Sequence, residues 1–303
     1  MISFQSPKPE DKAYLQRFLQ TDGERGCEYN FVNLSLWGRQ KVAVVHDTLV
    51  CFSQFDRKSI YLFPVGPGDK KAALDAIIED AKKRGIPCRL TGLTQDDCAL
   101  LERLYPGKLR YHFDRNTFDY VYDINDLADL GGRKFQKKRN HLNRFRQDNP
   151  DHKLIPITRD NIPVVAKLID DWYRMRLEEN PHADYHMEQA AVKKALEKWE
   201  LLELEGLILE NDGVGLAIAI GSRLSADTFD IHFEKALSAT DGTYAAINNG
   251  FARYLREKYP EVRFLNREDD LGIEGLRKAK LSYNPHHMVE KSWAHLLEDG
   301  YDY

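Results

Sequence analysis

One order of elements can be read twice along this chain, and that repetition limits the folds open to it more than any single motif. The first pass opens with a helical pattern at Pro9 to Leu19 and a short one at Phe31 to Trp37. Three runs follow: KVAVVHD from Lys41, TLVCFSQF from Thr48 and SIYLFPV from Ser59. Each is short, β-branched or aromatic, and bounded by polar or Gly/Pro punctuation, as strands are. Gly66-Pro67-Gly68-Asp69 introduces a helix over Lys70 to Arg84, with Gly85 at its C-cap. A strand at Pro87 to Leu90, a helix at Thr94 to Tyr105 and strands around Tyr111 and Tyr120 close this half. In the second half helices run from Asn161 to Glu179 and from Met187 to Leu204. Strands follow at Gly206 to Glu210, Val214 to Arg223 and Thr228 to Lys235, then a helix from Thr243 to Lys258. A strand at Val262 to Leu265, a helix from Leu271 to Leu281 and a strand near Met288 to Trp293 complete it. The halves share almost no residues, so the repeat is one of architecture. It predicts an α+β (mixed) chain cut into residues 1–125 and 126–303.

Length and composition agree. At about 150 residues per domain, 303 residues make two domains or one large one. With 42% hydrophobic and 11% aromatic residues the chain has the material for a core that a disordered chain lacks. Its net charge of −4 means that any nucleic-acid or lipid-surface contact must use a local basic patch. The opening MISFQSPKPEDKAYL does not read as a signal peptide. The longest clean apolar stretch, Val214 to Ile220, is far short of the ~20 residues of a membrane-spanning helix. Cys27, Cys51, Cys88 and Cys98 form no CxxC and have no His at metal spacing, so reduced, mostly buried thiols are expected. The expected location is the cytoplasm.

The basic patch lies between the halves. RKFQKKRNHLNRFR, Arg133 to Arg146, holds seven Lys/Arg in fourteen residues and no acid. At 100° per residue Phe135, Leu142 and Phe145 share the side that can pack on the protein. Arg133, Lys137, Asn140 and Arg144 fall opposite, and Arg139 and Arg146 sit on a flank. A solvated basic face has this pattern too, but cations interleaved with Asn140, His141 and Asn143 and unneutralised by acids suit phosphate binding.

Two further segments stand out: NREDDLGIEGLRKAKLSYNP, Asn266 to Pro285, directly after the strand VRFL, and HFEKA from His232 at the end of a strand. Together with GGRKFQKKRNHLNRF and the early CEYNFVNLSLW they resemble a bacterial family of uncharacterised proteins. That family is related to the C-terminal catalytic domain of phosphatidylglycerol lysyltransferases and, more distantly, to the Fem peptidyltransferases. The similarity covers nearly the whole chain, and the repeated element order is that of the GNAT-type acyltransferase fold. The resemblance implies two tandem GNAT-like domains and direct transfer of an aminoacyl group from aminoacyl-tRNA to a lipid hydroxyl or a small amine. It matches Lys280, ahead of Pro285, with a lysine of the lysyltransferase segment, and Arg133 to Arg144 with a basic region of that domain. No counterpart of the membrane-spanning flippase portion is expected.

Coenzyme A is a disfavoured cofactor, and no other is expected. The loop that cradles its pyrophosphate in other members of the fold corresponds to Gly66-Pro67-Gly68-Asp69 and to Ala239-Thr240-Asp241-Gly242-Thr243-Tyr244. Neither has the glycine pattern, and each sets an aspartate at a helix start, where phosphate would bind. Acyl transfer needs a base for the nucleophile and positive charge for the developing oxyanion. Arg277 and Lys280, three apart on one helical face, are candidates for the charge. Glu234 and Glu268 are candidates for the base, or for holding Arg277 or Arg267 in place. Substrate binding is expected of Arg133, Lys137, Arg139, Asn140, Asn143, Arg144, Arg146, Asn266, Arg267 and Tyr283. No metal site is expected, because His286 and His287 are adjacent and point to opposite faces of a strand. A coenzyme-A-dependent N-acyltransferase and a catalytically silent module binding RNA or anionic headgroups are the competing readings.

Overall fold

The computed structural model of the chain describes residues 1–20, 23–37, 39–55, 58–237 and 242–297. In chain order the helices and strands are α1 (Lys12–Leu19), α2 (Phe31–Leu36), β1 (Gln40–Val45), β2 (Thr48–Phe55), β3 (Lys58–Leu62), α3 (Lys70–Arg84), β4 (Arg89–Leu93), α4 (Gln95–Leu104) and β5 (Leu109–Phe113). Then come β6 (Asp119–Asp123), α5 (Ile124–Asp129), α6 (Gln136–Asp148), β7 (Lys153–Pro156), α7 (Ile162–Glu179), α8 (His186–Glu197), β8 (Glu205–Asn211) and β9 (Val214–Arg223). β10 (Thr228–Ala236), α9 (Thr243–Lys258), β11 (Phe264–Asn266), α10 (Glu274–Leu281), β12 (His287–Val289) and β13 (Ser292–Leu296) finish the series. The chain divides into two compact units. One holds Met1–Asp119, Asp269–Ile273 and the chain from Met288; the other holds Tyr120–Glu268 and Glu274–His287.

The first unit is built on a sheet of order β1-β2-β3-β4-β13-β5. Strand β13 runs antiparallel to both neighbours, with Ala294 opposite Leu90 on β4 and Tyr111 on β5. Helix α3 lays Leu74, Ile77 and Ala81 against this sheet, in one core with Val50, Tyr61, Phe63 and Ala294. The CEYNFVNLSLW segment is structural here. Asn30 caps α2 by accepting from the Val32 N–H, and the Tyr29 hydroxyl donates to the Phe63 and Gly92 carbonyls. A side chain at Gly92 would meet that hydroxyl at 2.8 Å, and its φ of +70° also favours glycine. Asp119, fully buried, takes the Lys291 ammonium at 2.7 Å, and Glu28 takes it at 2.9 Å. All four cysteines are free thiols, Cys51 and Cys88 buried, Cys27 and Cys98 half-buried.

The second unit is built on a sheet of order β12-β6-β11-β10-β9-β8-β7, with β10 and β11 parallel. Helix α9 is buried almost all round, Ala245 to Ala252 without a break, so it is an interior helix rather than an amphipathic one. Its Asn249 donates to the Leu127 and Ala128 carbonyls and so holds the end of α5. At Gly242 a side chain would collide with the His141 carbonyl of α6, so only glycine lets the start of α9 come that close.

Several boundaries differ from the sequence expectation. The strand at Tyr120, expected to complete the first half, pairs antiparallel with β11 in the second sheet, Tyr122 opposite Leu265. The run expected from Met288 to Trp293 is two strands: β12 belongs to the second sheet and β13 to the first. The expected cut at 125/126 falls inside α5, and the division is not a single cut, because β13 returns to the first sheet. Helix α10 starts three residues later than expected, since Leu271 and Gly272 both have positive φ. Helix α5 and strand β7 were not anticipated. Among the described residues no helix is long and apolar enough to cross a membrane.

Candidate active site

The site residues of the second unit are placed by β10, the turn after β11, and the inward side of α6. Along β10 the register slips by one residue between Ile231 and Phe233, a bulge at His232. An extra residue in one strand re-aims the side chains beside it. His232 and Glu234, two apart and so on one face of a strictly alternating strand, enter two separate clusters.

In the first cluster the Arg267 guanidinium donates through Nη2 to Glu234 Oε1 at 2.9 Å, with side chains 13% and 11% exposed. Asn248 donates to the other oxygen of Glu234 at 3.3 Å. The guanidinium lies over the rings of Tyr283 (4.9 Å) and Tyr122 (5.6 Å). Burial works against its charge, but Glu234 and the phenols of Tyr122, Tyr283 and Tyr244 outweigh it, so Arg267 stays firmly protonated. Its Nη1 is buried with no hydrogen-bond partner. Lys138 reaches the same place from α6, its ammonium 3.7 Å from the centre of the Tyr283 ring. Burial, then Arg267, then Lys137, pull the Lys138 pKa down to about 8, against a smaller pull from Glu234. Two cations thus share one carboxylate out of full contact with water, so the cluster is short of negative charge.

The second cluster is His232 with Asp230 and Glu268. His232 Nε2 lies 2.8 Å from Ser222 Oγ. Its Nδ1 lies 3.7 Å from Asp230 and 3.5 Å from Glu268. Glu268 holds a left-handed backbone (φ 56). Asn266, buried, accepts from the Glu268 N–H at 2.7 Å, and the Glu268 carbonyl accepts from Tyr120 N–H at 3.1 Å.

Lys280 is placed differently from the expectation of an oxyanion-stabilising cation. It is 8% exposed and donates to the main-chain carbonyls of Arg267 and Glu268. Its own carbonyl accepts from the Tyr122 hydroxyl at 2.9 Å. Its charge braces the turn that presents Arg267. Arg277 is half-buried on α10. Asn266 holds the same turn and faces no opening, while Arg267 and Tyr283 do meet in the site.

The basic helix keeps its expected two faces, with Phe135, Leu142 and Phe145 buried and Arg133, Lys137, Asn140, Asn143, Arg144 and Arg146 exposed. Arg139 departs from it: its guanidinium donates to the Leu130 and Gly132 carbonyls and to Gln136, closing the loop ahead of the helix. Lys138 was missed. It follows Phe135 by three and precedes Leu142 by four, so it lies on the apolar stripe, and a lysine there is the signal that was available. At the first of the two loops compared with a pyrophosphate cradle, Asp69 caps α3 by accepting from the Ala72 N–H at 3.1 Å. In the second, residues 239–241 lie outside the described residues.

Two mixed sheets threaded by helices, one in each unit, make a tandem GNAT-like fold. The fold is shared with a tandem GNAT protein from the clavulanic acid biosynthesis pathway (TM-score 0.52, 11% identity, 100% of both chains) and with FemX (TM-score 0.61). The chain belongs to the family of the phosphatidylglycerol lysyltransferase C-terminal domain, whose model matches residues 21–295. L-PGS from Bacillus licheniformis superposes with a TM-score of 0.70 at 15% identity over 96% of this chain and 93% of that one. A conserved protein of unknown function from Bacteroides thetaiotaomicron is 39% identical, with a TM-score of 0.93 over 98% of this chain and all of that one. An uncharacterised protein from Mycoplasmoides gallisepticum is 25% identical over 180 residues, 58% of this chain; the chain spans about half of that relative, 55%.

Proposed function

We propose that the second unit transfers an aminoacyl group from aminoacyl-tRNA directly to a hydroxyl or amine acceptor, a lipid headgroup or a small amine, at the Arg267–Glu234–Lys138 cluster. The observation that carries this reading is Lys138, a lysine whose pKa is drawn to about 8 beside an arginine with an open donor. In its neutral form Lys138 takes the proton of the acceptor as its oxygen or nitrogen attacks the ester carbonyl. Arg267 Nη1 donates to the oxyanion that forms, and Glu234 keeps the guanidinium in that orientation. Collapse of the tetrahedral species breaks the bond to the ribose oxygen, and the Lys138 ammonium returns the proton to that leaving oxygen. No acyl-enzyme is formed. The exposed cations of α6 suit the donor's phosphates, while Asp69 at the start of α3 supports tRNA over coenzyme A as the source of the acyl group.

The test is a transfer assay with a pool of labelled aminoacyl-tRNAs, offered phosphatidylglycerol vesicles in one arm and small amines in the other. Product should form in one arm, with a rate that climbs about tenfold per pH unit below pH 8 and then levels. Lys138→Met should lower kcat by about a hundredfold or more with the fold intact. Transfer from acetyl-CoA but from no aminoacyl-tRNA, or a wild-type rate in Lys138→Met, would overturn this reading.

A further inference from the structure

We infer that Asp230, His232 and Glu268 form a binding site for one divalent ion of the zinc class. One ligand atom from each side chain lies within 4.8 Å of the other two. The His232 side chain is 1% exposed, and its Nδ1 has no hydrogen-bond partner. The gaps of 3.5 and 3.7 Å to Glu268 and Asp230 are too long for hydrogen bonds. They are close to the edge of a tetrahedron around an ion, about 3.4 Å for bonds of about 2.1 Å. A proton on Nε2 donated to Ser222 Oγ, 2.8 Å away, would leave the Nδ1 lone pair facing the carboxylates, the outer-shell bond that metal-binding histidines use.

A neutral imidazole and two carboxylates bring a charge that a dication cancels, and Asp230 is wholly buried. Mixed nitrogen and oxygen donors in this number suit zinc over magnesium or calcium, which ask for more oxygens. Glu268, 26% exposed, gives the way in and leaves the fourth position to water. The Ser222–His232–Asp230 line also has the order of a nucleophilic triad. Ser222 is only 1% exposed, so no acyl group can reach it. Cys27, Glu28 and Asp119 in the first unit lie equally close together, but the Lys291 ammonium stands among them and supplies the cation. Bound at His232, the ion would tie β10 to the residue after Arg267 and steady the pair on which the site is built.

The inference does not depend on the transferase reading, and its test uses no turnover. His286 and His287, expected on opposite faces of a strand, instead bring their Nδ1 atoms within 2.8 Å because His286 precedes β12, and such a pair can take zinc adventitiously, so the titrations use His287→Ala protein. Zinc is competed against a chromogenic chelator, and melting is followed with and without the ion. One equivalent should bind and raise the melting temperature. Ser222→Ala should weaken binding by about 10- to 100-fold, and Glu268→Gln should abolish both the stoichiometric binding and the shift. No stoichiometric site in the His287→Ala protein, or an unchanged affinity in Glu268→Gln with a native melt, would overturn the inference.

Discussion

Lys138 and Lys280 are both lysines drawn out of water in the second unit, and their surroundings separate their roles. Lys280 gives its protons to two backbone carbonyls, so its charge is satisfied by the fold itself. Lys138 has a ring face and a neighbouring arginine, so its charge is a burden to the folded state. Its depressed pKa gives the sign. Below about pH 8 folded and unfolded chains both carry the proton and the penalty is present in full; it fades as pH rises from about 8 toward 10.5. Lys138→Met should therefore melt higher than wild type at pH 7, with a gain that shrinks by pH 10, while losing turnover. Lys280→Met should do the reverse at pH 7, losing about 2 kcal/mol as the Arg267 carbonyl loses the ammonium and the Glu268 carbonyl keeps only the Tyr120 N–H. Paired thermal melts across pH decide; a destabilised Lys138→Met would remove the account of its shifted pKa. The family was legible at this scale, and Arg267, Glu234 and Tyr283, which meet in one cluster, were named. The sorting of the lysines was not, because it depends on which carbonyls a left-handed residue such as Glu268 turns toward a side chain.

Helix α6 shows how far periodicity carries. Its buried stripe and exposed cations follow from 100° spacing, but spacing alone does not show which cations the fold engages: Lys138 enters the site, Arg139 closes a loop and Lys134 pairs with Asp126. Arg139 folds back on a loop whose shape comes from Leu130 and Gly132 at positive φ, a backbone fact that spacing does not contain. The exposed set then makes a sharp prediction. Lys137→Glu with Arg146→Glu should weaken tRNA binding at least tenfold in fluorescence anisotropy and flatten its dependence on salt, because fewer counterions are released. Arg139→Ala should lower the melting temperature and leave affinity nearly unchanged. Equal losses in both proteins would mean that the helix binds through its fold and not through its exposed charge. Strand β10 teaches a complementary lesson. Alternation put His232 and Glu234 together, and one bulged residue, invisible to a period of two, sent them to different partners.

At the scale of the whole molecule, the duplicated element order was legible and the exchange of strands was not. β6 and β13 each look like the closing strand of the half they follow, and only pairing reveals which sheet they enter. A chain stopped after Glu290 keeps every residue of the first sheet except β13, yet it opens an unpaired edge on both β4 and β5 and leaves Asp119 without Lys291. It should lose the cooperative melt of the first unit and associate on size-exclusion chromatography, since exposed strand edges recruit other chains. A monomeric protein with native melting would contradict this. The position of β13 also bears on how the protein is made. Between β5 and β13 lie about 180 residues, which a ribosome at roughly 5–20 residues per second needs on the order of 10–35 s to add. During that interval the first half of the nascent polypeptide waits with a slot in its sheet, while the segment that forms most of the second unit emerges complete. The part translated first is thus among the last to close, and the gap between β4 and β5 is where a chaperone would have the longest time to act.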